Sequence, residues 1–376
     1  MRLRVAQVNC VIDEHGRAPE DLLRAWATLP AIASAAAKAG AEVTVFQASR
    51  RAVHHREDGI SYRFVPEPRL RGGSGRGIMP WRMAAAVQRA APDVIHLNGL
   101  DFRFHARALG MLGIPVLAQD HASRTLGRAA YLRRWGYSKA AAVAFTSSAQ
   151  ADPFISAGQL CTDIPVFAIP ESSSDFAPGD RDEARQASGV FGDPALLWVG
   201  HLDENKDPLT ILEAVRRALQ RLPELQLWCA FGSGQLLPQV QRLVRSDRQL
   251  AAHVHLLGRV PHEQVETLCR ACDFFVLGSH REGSGYALLE ALACGLPPIV
   301  SDIPSFRALT GEGAVGALVP PGESDALASA LVRLAERPRE NLRAAVRDHF
   351  QRHLSFEAVG ARLVEAYASL AAQRVR

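Results

Sequence analysis

Lysine, cysteine and long apolar runs are all scarce in this chain of 376 residues. Lysine occurs only at 38, 139 and 206, against 40 arginines, so a lysine inside a motif stands out from the composition. Six cysteines are too few for a disulfide framework in a chain of this length, which favours a reducing cytoplasm. No apolar run reaches the roughly 18 residues of a membrane-spanning helix, and Asp13 follows the N-terminus too closely for a signal peptide.

Aromatic residues make up only 7% of the chain, while 48% are hydrophobic and 22% are charged. These proportions are typical of a soluble globular protein and exclude a disordered or collagen-like chain. At roughly 100–200 residues per domain, the length predicts two domains, each with its own core.

Positive charge is concentrated in one stretch of the chain. The formal net charge is +4, yet residues 50–89 alone contain nine arginines and three acidic residues. We attribute the high arginine content to genome composition. The concentration of arginines in this stretch leaves two interpretations open. The Gly-rich segment 66–82 is either a solvated loop or a surface that meets an anionic membrane or a polyanionic acceptor.

Short apolar runs alternate with amphipathic stretches along the whole chain. This alternation predicts βαβ units and parallel sheets, and therefore an α/β chain with doubly wound domains. Strands are predicted at 3–8, 42–47, 60–65, 93–97, 115–119, 141–146, 195–200, 225–231, 253–257, 273–277, 297–301 and 315–319. A polar break with proline and glycine at 170–194 indicates a linker between the halves.

The stretch after the predicted strand 273–277 has the composition of an anion-binding site. A Gly/Ser loop containing Gly283, Ser284 and Gly285 leads into a short apolar helix, which Gly295 ends. A helix N-terminus at the carboxyl end of a strand attracts anions, because the helix dipole and backbone N–H groups point towards them.

Two glutamates bracket this loop: Glu282 precedes the helix, and Glu290 lies inside it among apolar neighbours. Carboxylates accept hydrogen bonds from paired hydroxyls, so the pattern suits a phosphate flanked by polyols. A structural alternative stays open, in which Glu282 caps the helix and Glu290 lies on a solvated face.

The same residues resemble the signature of a known enzyme family. Ser-x-x-Glu-Gly-x-Gly, with seven residues between Glu282 and Glu290 and then Ala-x-Ala-x-Gly-x-Pro, is similar to the motif of retaining GT-B glycosyltransferases of the GT4 family. Supporting segments occur in the family's order at 198–208, 231–234, 257–260 and 271–276. The likeness is close over 195–320 and looser over the N-terminal half.

The resemblance implies a GT-B fold, in which two Rossmann-like domains face each other across a cleft. We expect an N-terminal acceptor-side domain at 1–180 and a nucleotide-sugar-binding domain at 190–354. The segment 355–376 is then a C-terminal helix that packs back on the N-terminal domain.

Carried over by position, the resemblance also implies roles for individual residues. Glu282 would hold hydroxyls of the transferred sugar, Glu290 the nucleotide ribose, and Lys206 the diphosphate as it leaves. The catalytic set is His121, Lys206 and Glu282, and the donor-binding set is His201, Arg259, Val260, Gly283, Ser284, Gly285 and Glu290.

On the acceptor side, the implied residues are Asn98, Gly99 and Asp120. Gln119-Asp120-His121-Ala122 follows a predicted strand, as the family's histidine loop does, which would place His121 beside the reacting sugar and the acceptor. A structural histidine is the alternative for His121. We expect Asp120 to cap the next segment rather than to act as a nucleophile.

The chain departs from the family pattern at three places. A glycine pair often follows the first strand in the family, whereas the segment 9–16 offers one late glycine here, which leaves the acceptor-side loop open. His201 stands where relatives commonly carry arginine, which leaves the second phosphate cation open. The family's Pro-Asn-Gly-Val-Asp is replaced by Pro170-Glu171-Ser172-Ser173-Ser174-Asp175, which we interpret as a hinge variation. Cys269 and Cys272 have the spacing of a metal pair without a second pair, so we predict core cysteines and no metal site.

The resemblance implies transfer of a sugar from a nucleotide diphosphate sugar to an acceptor hydroxyl, with retention at the anomeric carbon and without metal or cofactor. Our first hypothesis is a cytoplasmic enzyme, peripheral on the inner face of the membrane, that builds surface polysaccharide or glycolipid on a glycan or lipid-linked acceptor. Its basic segment 50–89 would meet the anionic membrane. A soluble transferase for a small metabolite and a nucleotide-binding Rossmann protein without transferase activity are the alternatives. We expect no nucleic acid partner.

Overall fold

The computed structural model of the protein describes residues 2–13, 15–67, 79–125, 127, 130–232 and 234–373. The chain divides into two compact units. The first combines Met1–Ser172 with Phe356–Arg376, and the second is Ser173–Ser355. Both are mixed α/β units, as the alternating pattern predicts.

The first unit is built around one sheet with helices along the chain between its strands. Its strands are β1 (Arg4–Asn9), β2 (Glu42–Ser49), β3 (Val53–Glu57), β4 (Ile60–Pro66), β5 (Val94–Asn98), β6 (Val116–Gln119), β7 (Ala142–Phe145) and β8 (Val166–Ala168). Its helices are α1 (Pro19–Ala25), α2 (Thr28–Lys38), α3 (Trp81–Ala90), α4 (Arg103–Gly110), α5 (Ala130–Tyr137), a 3-10 turn (Ser148–Ala151) and α6 (Asp152–Ser156). The last helix of the chain, which also belongs to this unit, is described below.

In the described part of this unit the strand order is β3-β4-β2-β1-β5-β6-β7-β8, and β3 alone runs antiparallel to its neighbour. Strand β1 pairs with β2 on one side and with β5 on the other. The topological switch point therefore lies between β1 and β5, and ligands of such sheets bind outside the carboxyl ends of the strands there.

The second unit follows the same plan with fewer strands. Its elements are α7 (Arg181–Ser188), β9 (Ala195–Gly200), α8 (Pro208–Ala218), β10 (Gln226–Phe231), α9 (Leu237–Ser246), α10 (Arg248–His253), β11 (Val254–Gly258), α11 (His262–Ala271), β12 (Phe274–Leu277), α12 (Tyr286–Ala293), β13 (Pro298–Ser301), α13 (Pro304–Leu309), β14 (Ala317–Val319), α14 (Ser324–Ala335) and α15 (Arg339–His353). Across its described residues the sheet is parallel, in the order β11-β10-β9-β12-β13-β14. Strand β9 pairs with β10 and β12, so this switch point lies between β9 and β12.

The strands that we predict from apolar runs are confirmed, but two further strands, β3 and β8, were not predicted. Strand β12 is buried along its whole length, as a run covered on both faces should be. Strand β3 was missed because its residues, Val-His-His-Arg-Glu, are mostly exposed at the sheet edge. Strand β8 was missed because it is only three residues long.

The predicted linker at 170–194 contains a helix, which corrects the sequence interpretation. Helix α7 is mostly exposed, so its sequence is as polar as a linker, yet two of its arginines anchor it. Arg181 and Arg185 lie 2.9 Å and 3.1 Å from the buried carboxylate of Asp273. The second unit accordingly starts at Ser173, upstream of the 180 and 190 limits that we expected.

The last helix, α16 (Phe356–Gln373), packs in the first unit against α2. The helices approach closely at Gly360, where a Cβ atom would lie 2.3 Å from the carbonyl oxygen of Ala35. Deeper in the unit, Tyr367 Oη lies 2.6 Å from His96 Nδ1 on β5. Among the described residues, no helix combines the length and the apolar character needed to cross a membrane.

Candidate functional site

Two loops meet at the switch point of the second unit. One leaves β9 and contains Lys206, and the other leaves β12 and contains Glu282. The backbone N–H of His280 donates to the carbonyl of Asn205 at 2.8 Å, and the Asn205 side chain donates to the carbonyl of Arg281 at 3.0 Å. These bonds bring the two candidate catalytic residues of this unit together.

Lys206 and Glu282 form an ion pair between Nζ and Oε1. Their side chains are 18% and 12% exposed, so the pair is largely shielded from water yet open on one side. The backbone N–H of Lys206 donates to Asp203, and Asp207 follows with a φ of +44°, an uncommon value for a residue other than glycine. A loop held in such a conformation is typical of functional sites.

The Gly-rich loop ends where α12 begins. Gly285 is the residue before the helix, with a φ of +65°, and a Cβ atom there would lie 2.9 Å from the Leu309 side chain. Glycine is therefore strongly favoured at this position. Ser284 is buried beside it, while Gly283 follows Glu282 directly. The positive end of α12 thus lies next to the Lys206–Glu282 pair.

Glu290 lies on α12 with 18% of its side chain exposed. Burial raises the pKa of its carboxyl, and a hydrogen bond from His262 opposes that rise. His262 Nε2 lies 2.7 Å from Glu290 Oε1, and the His262 ring is 4.7 Å from that of Phe176. Sequence reasoning missed His262, because nothing local links the start of α11 to α12.

The remaining donor-side residues lie at the same edge of the sheet but outside this cluster. His201 directly follows β9, and Arg259 with Val260 follows β11. His201 and Arg259 are exposed and form no ion pair with any residue that the structure describes, whereas Val260 packs on the core. The structure therefore brings Lys206, Glu282 and the Gly-rich loop together, and leaves His201 and Arg259 available to solvent.

In the first unit, the loops after β5 and β6 are joined. The backbone N–H of Gly99 donates to the carbonyl of Gln119 at 2.8 Å, and Tyr137 donates to the Gly99 carbonyl at 3.0 Å. Asn98 ends β5, and Asp120 follows β6 as a buried residue that accepts from the Ser123 backbone. The predicted acceptor-side residues therefore lie together at the carboxyl edge of this sheet.

His121 is paired with a carboxylate that we had assigned to a hinge variation. Glu171 Oε2 lies 2.5 Å from His121 Nδ1, and the Glu171 side chain is only 5% exposed. Burial by itself would lower the pKa of His121, but the charge of Glu171, its hydrogen bond and the charge of Asp120 raise it above the ordinary value. Burial raises the pKa of Asp120, and the negative charge of Glu171 adds to this rise. Replacement of the family's asparagine by glutamate was the signal that could have identified this residue.

Two families of known proteins match the chain along most of its length. The family described as Glycosyl transferases group 1 matches residues 180–349, and the Glycosyl transferase 4-like domain matches residues 25–170. The boundary between the two matches lies close to the boundary between the compact units.

Individual relatives carry glycosyltransferase names. A D-inositol 3-phosphate glycosyltransferase from Geodermatophilus obscurus is 35% identical over 52% of this chain, and the match spans 45% of that relative, less than half its length. A GDP-mannose:cellobiosyl-diphosphopolyprenol alpha-mannosyltransferase from Xanthomonas campestris is 27% identical over 86% of this chain and 85% of its own length.

The fold is shared with solved structures over the whole chain. Sucrose-phosphate synthase from Thermosynechococcus elongatus matches with a TM-score of 0.68 and 20% identity, over 99% of this chain and 100% of that chain. At this identity the likeness establishes the architecture and nothing about the substrate. The two family matches together span most of the chain and show that it is a glycosyltransferase of the GT4 kind, and the structural match shows that it has the GT-B fold.

Proposed function

We propose that this protein is a retaining glycosyltransferase that moves a sugar from a nucleotide diphosphate sugar to an acceptor hydroxyl. The observation that carries the proposal is the Lys206–Glu282 ion pair beside the N-terminus of α12. A cation at a helix N-terminus suits a diphosphate, and a carboxylate next to it suits sugar hydroxyls. The relative from Xanthomonas campestris, which is named for a GDP-mannose donor, supports the same class of donor.

In the proposed reaction, the acceptor oxygen bonds to the anomeric carbon while the bond from that carbon to the diphosphate breaks. The acceptor proton passes to a diphosphate oxygen on the same face of the sugar, so the nucleoside diphosphate leaves and the configuration is retained. Negative charge grows on the diphosphate during this step. Lys206 and the α12 N-terminus stabilise that charge, while Glu282 orients the sugar hydroxyls.

The other residues take supporting roles in this proposal. Glu290 holds the ribose, the backbone at Arg259 and Val260 borders the base, and His201 adds to phosphate binding. Gly283, Ser284 and Gly285 cradle the distal phosphate.

On the acceptor side, His121 contacts the reacting sugar and the acceptor, with Asn98, Gly99 and Asp120 shaping the acceptor site. The scheme needs no metal or cofactor, because Lys206 and the helix dipole supply the positive charge.

For the acceptor, we propose a glycan or lipid-linked molecule at an anionic membrane surface, in the synthesis of surface polysaccharide or glycolipid. A groove of about 840 Å³ runs between β3, β4 and α3, and it is lined by Arg63, Arg82 and Arg89 together with apolar side chains. Trp81 lies in the same lining with 59% exposure. Arginines around an exposed tryptophan suit an amphiphile with an anionic head group. The rest of the Gly-rich basic segment, 68–78, lies outside the described residues.

The names of the relatives state different acceptors, so a small metabolite is a second acceptor class to be tested. The Xanthomonas campestris relative is named for a diphosphopolyprenol acceptor, whereas the Geodermatophilus obscurus relative is named for inositol 3-phosphate. The first matches most of this chain and favours a lipid-linked acceptor, and the second favours a small metabolite. We also propose a cytoplasmic location, because six cysteines are too few for a disulfide framework in a chain of this length.

A thermal-shift screen against nucleotides and nucleotide sugars tests the donor side, since a donor that binds the folded state raises Tm. Hits are then assayed for hydrolysis and for transfer to lipid-linked, glycan and small-molecule acceptors. The anomeric configuration of the product is read by NMR. An inverted product contradicts the proposed mechanism, and nucleotide binding without turnover favours a binding protein without transferase activity.

A further inference from the structure

We propose that Glu171 is a positioning residue that holds His121 by its Nδ1 atom and favours the doubly protonated form of its ring. This inference rests on the proposed function, in which His121 lies beside the reacting sugar. It adds a residue that the family motif does not assign, because the motif has asparagine where this chain has glutamate. The substitution thereby changes the charge state of the acceptor-side site.

The pair joins the buried carboxylate of Glu171 to the partly exposed imidazole of His121. Glu171 Oε2 lies 2.5 Å from His121 Nδ1, and the two side chains are 5% and 35% exposed. A buried carboxylate requires a charged or hydrogen-bonding partner, because it has lost its water. The partner in this position is the histidine ring, whose exposed part stays within reach of a ligand.

Backbone contacts hold both partners in place. The Gln119 side chain donates to the carbonyl of Ile169 at 3.0 Å, which ties the end of β6 to the segment that carries Glu171. Directly after His121, Ala122 has a φ of +54°, a left-handed conformation that is costly for alanine. Such strain persists only where the surrounding structure fixes the chain, so the backbone next to His121 is held in place.

The charged groups around His121 act in the same direction. Glu171 and Asp120 are the acidic groups that face it, from the segment after β8 and from the end of β6. His96 on β5 is the nearby base, but burial lowers its pKa to about 3, so it stays neutral and does not compete with His121 for the charge. The net effect is a pKa of His121 above its ordinary value, although burial opposes the shift.

A doubly protonated imidazole can donate from Nε2 but cannot accept a proton. Within the proposed reaction, His121 therefore donates a hydrogen bond to an oxygen of the sugar or the acceptor, and the acceptor proton goes to the diphosphate. Since the pKa of His121 is raised, the donor form persists to higher pH, and activity falls as the pH rises through that pKa.

The test compares Glu171→Gln, which removes the charge, with Glu171→Asp, which keeps it. NMR titration of the His121 ring reports its pKa in the full-length protein, without any need for turnover. We expect the wild-type ring to titrate above about 6.5 and Glu171→Gln to lower its pKa by at least about one unit. The high-pH limb of the kcat/KM profile should move down by the same amount, and Glu171→Asp should restore it in part.

Glu20→Gln is the matched control, because Glu20 is a carboxylate 3.2 Å from a different histidine of the same unit, His55. It should leave the pH profile unchanged. A wild-type His121 that titrates at or below about 6.5 overturns the inference, whether or not Glu171→Gln folds. An equal loss of kcat/KM at every pH in Glu171→Gln, with no pKa change, indicates a merely structural role. Wild-type protein with the raised pKa but no turnover on any donor contradicts the proposed function and leaves the Glu171–His121 coupling standing.

Discussion

Lys206 and Glu282 form an ion pair that joins the loops leaving β9 and β12, although 75 residues of chain separate them. The pair lies where the strand order reverses, which is where α/β sheets of this kind bind ligands. The ion pair has two roles. It stabilises the fold, since each charge compensates the other, and it acts on the substrate in the proposed reaction. The two roles can be separated by experiment.

We expect Lys206→Met and Glu282→Gln each to lower kcat/KM by at least about 10²-fold, because each removes charge stabilisation or orientation from the transition state. Each single variant should also destabilise the protein by about 1–3 kcal/mol, since it leaves the partner charge without compensation. The double variant should recover part of the stability and none of the activity. Glu213→Gln, which breaks an exposed pair with Arg216 in the same unit, serves as the control for both measurements. Full activity in either single variant contradicts the assignment.

We expect Glu290→Gln to weaken binding of the nucleoside diphosphate by about tenfold or more, which corresponds to the loss of about one charge-assisted hydrogen bond. His262→Ala should have a pH-dependent effect. His262 opposes the rise in the pKa of Glu290, so its removal raises that pKa further and the carboxylate is lost sooner as the pH falls.

Titration calorimetry at pH 5.5 and pH 8 measures both effects. The affinity of His262→Ala should fall more at pH 5.5 than at pH 8, relative to the wild type. Glu263→Gln, an exposed acidic residue of the same helix, is the control. Equal nucleotide affinity in the wild type and Glu290→Gln removes Glu290 from the donor site.

Asp273→Asn should destabilise the second unit by about 3–5 kcal/mol, because it leaves partly buried guanidinium groups without their counter-charge. The Asp273 carboxylate is fully buried, and it accepts from Arg181, Arg185 and the backbone of Ala195. Hydrogen exchange should speed up first in α7, which these contacts anchor. Asp182→Asn, at a carboxylate that is 84% exposed, should change little. Unchanged exchange in α7 would show that other contacts hold the helix.

Tyr367→Phe should cost about 1–3 kcal/mol, since it leaves the buried Nδ1 atom of His96 without its partner at 2.6 Å. The same histidine makes stability depend on pH. Its pKa is lowered to about 3 in the folded protein by burial and by the nearby charge of His121, and it returns to about 6.5 on unfolding. The unfolded state therefore takes up the proton first, and stability falls as the pH drops from about 6.5 towards 3.

Thermal unfolding between pH 4 and pH 8 checks this prediction, with His96→Asn as the variant that removes the titration. Tyr131→Phe, at an exposed tyrosine of the same unit, is the matched control for the lost hydroxyl. A Tm of Tyr367→Phe within one degree of the wild type shows that the hydrogen bond contributes nothing net to the docking of α16.

The double variant Arg82→Gln/Arg89→Gln should sediment less with anionic liposomes at low salt than the wild type. Each basic residue near an anionic membrane contributes about 1 kcal/mol to binding. Both arginines line the groove beside α3. Transfer to a water-soluble acceptor should stay unchanged in this variant. Arg333→Gln, on α14 of the second unit, is the control. Wild-type protein that does not sediment with these liposomes removes the support for a membrane role and favours the small-metabolite acceptor.

Much of the fold follows from local sequence patterns. Apolar runs such as Phe274–Leu277 predict buried parallel strands, because both faces of each strand are covered. The candidate donor motif is also local: Glu282, Gly285 and Glu290 lie on one loop and the helix that follows it. The rule that carboxyl ends of parallel strands share one edge then predicts that Lys206 lies near them.

Other features depend on contacts that no local pattern contains. Helix α7 has the polarity of a linker, and tertiary contacts hold it on the unit, among them the bonds of Arg181 and Arg185 to the buried Asp273 of a distant chain segment. Strand β3 is polar because it lies at an edge, where burial imposes no alternation. In both cases the polar sequence reflects the exposure of the segment to solvent, and it does not show whether the segment is a helix, a strand or a loop.

The amino-acid sequence by itself determined the two α/β units, the Gly-rich loop and the identity of most candidate site residues, because strand periodicity and short motifs act over a few neighbouring residues. Only the tertiary structure decided the pairs His262–Glu290 and Glu171–His121, whose members are 28 and 50 residues apart in the chain. Packing of separate elements sets those distances, and a carboxylate at 2.5 Å raises the pKa of a histidine that the sequence could only locate.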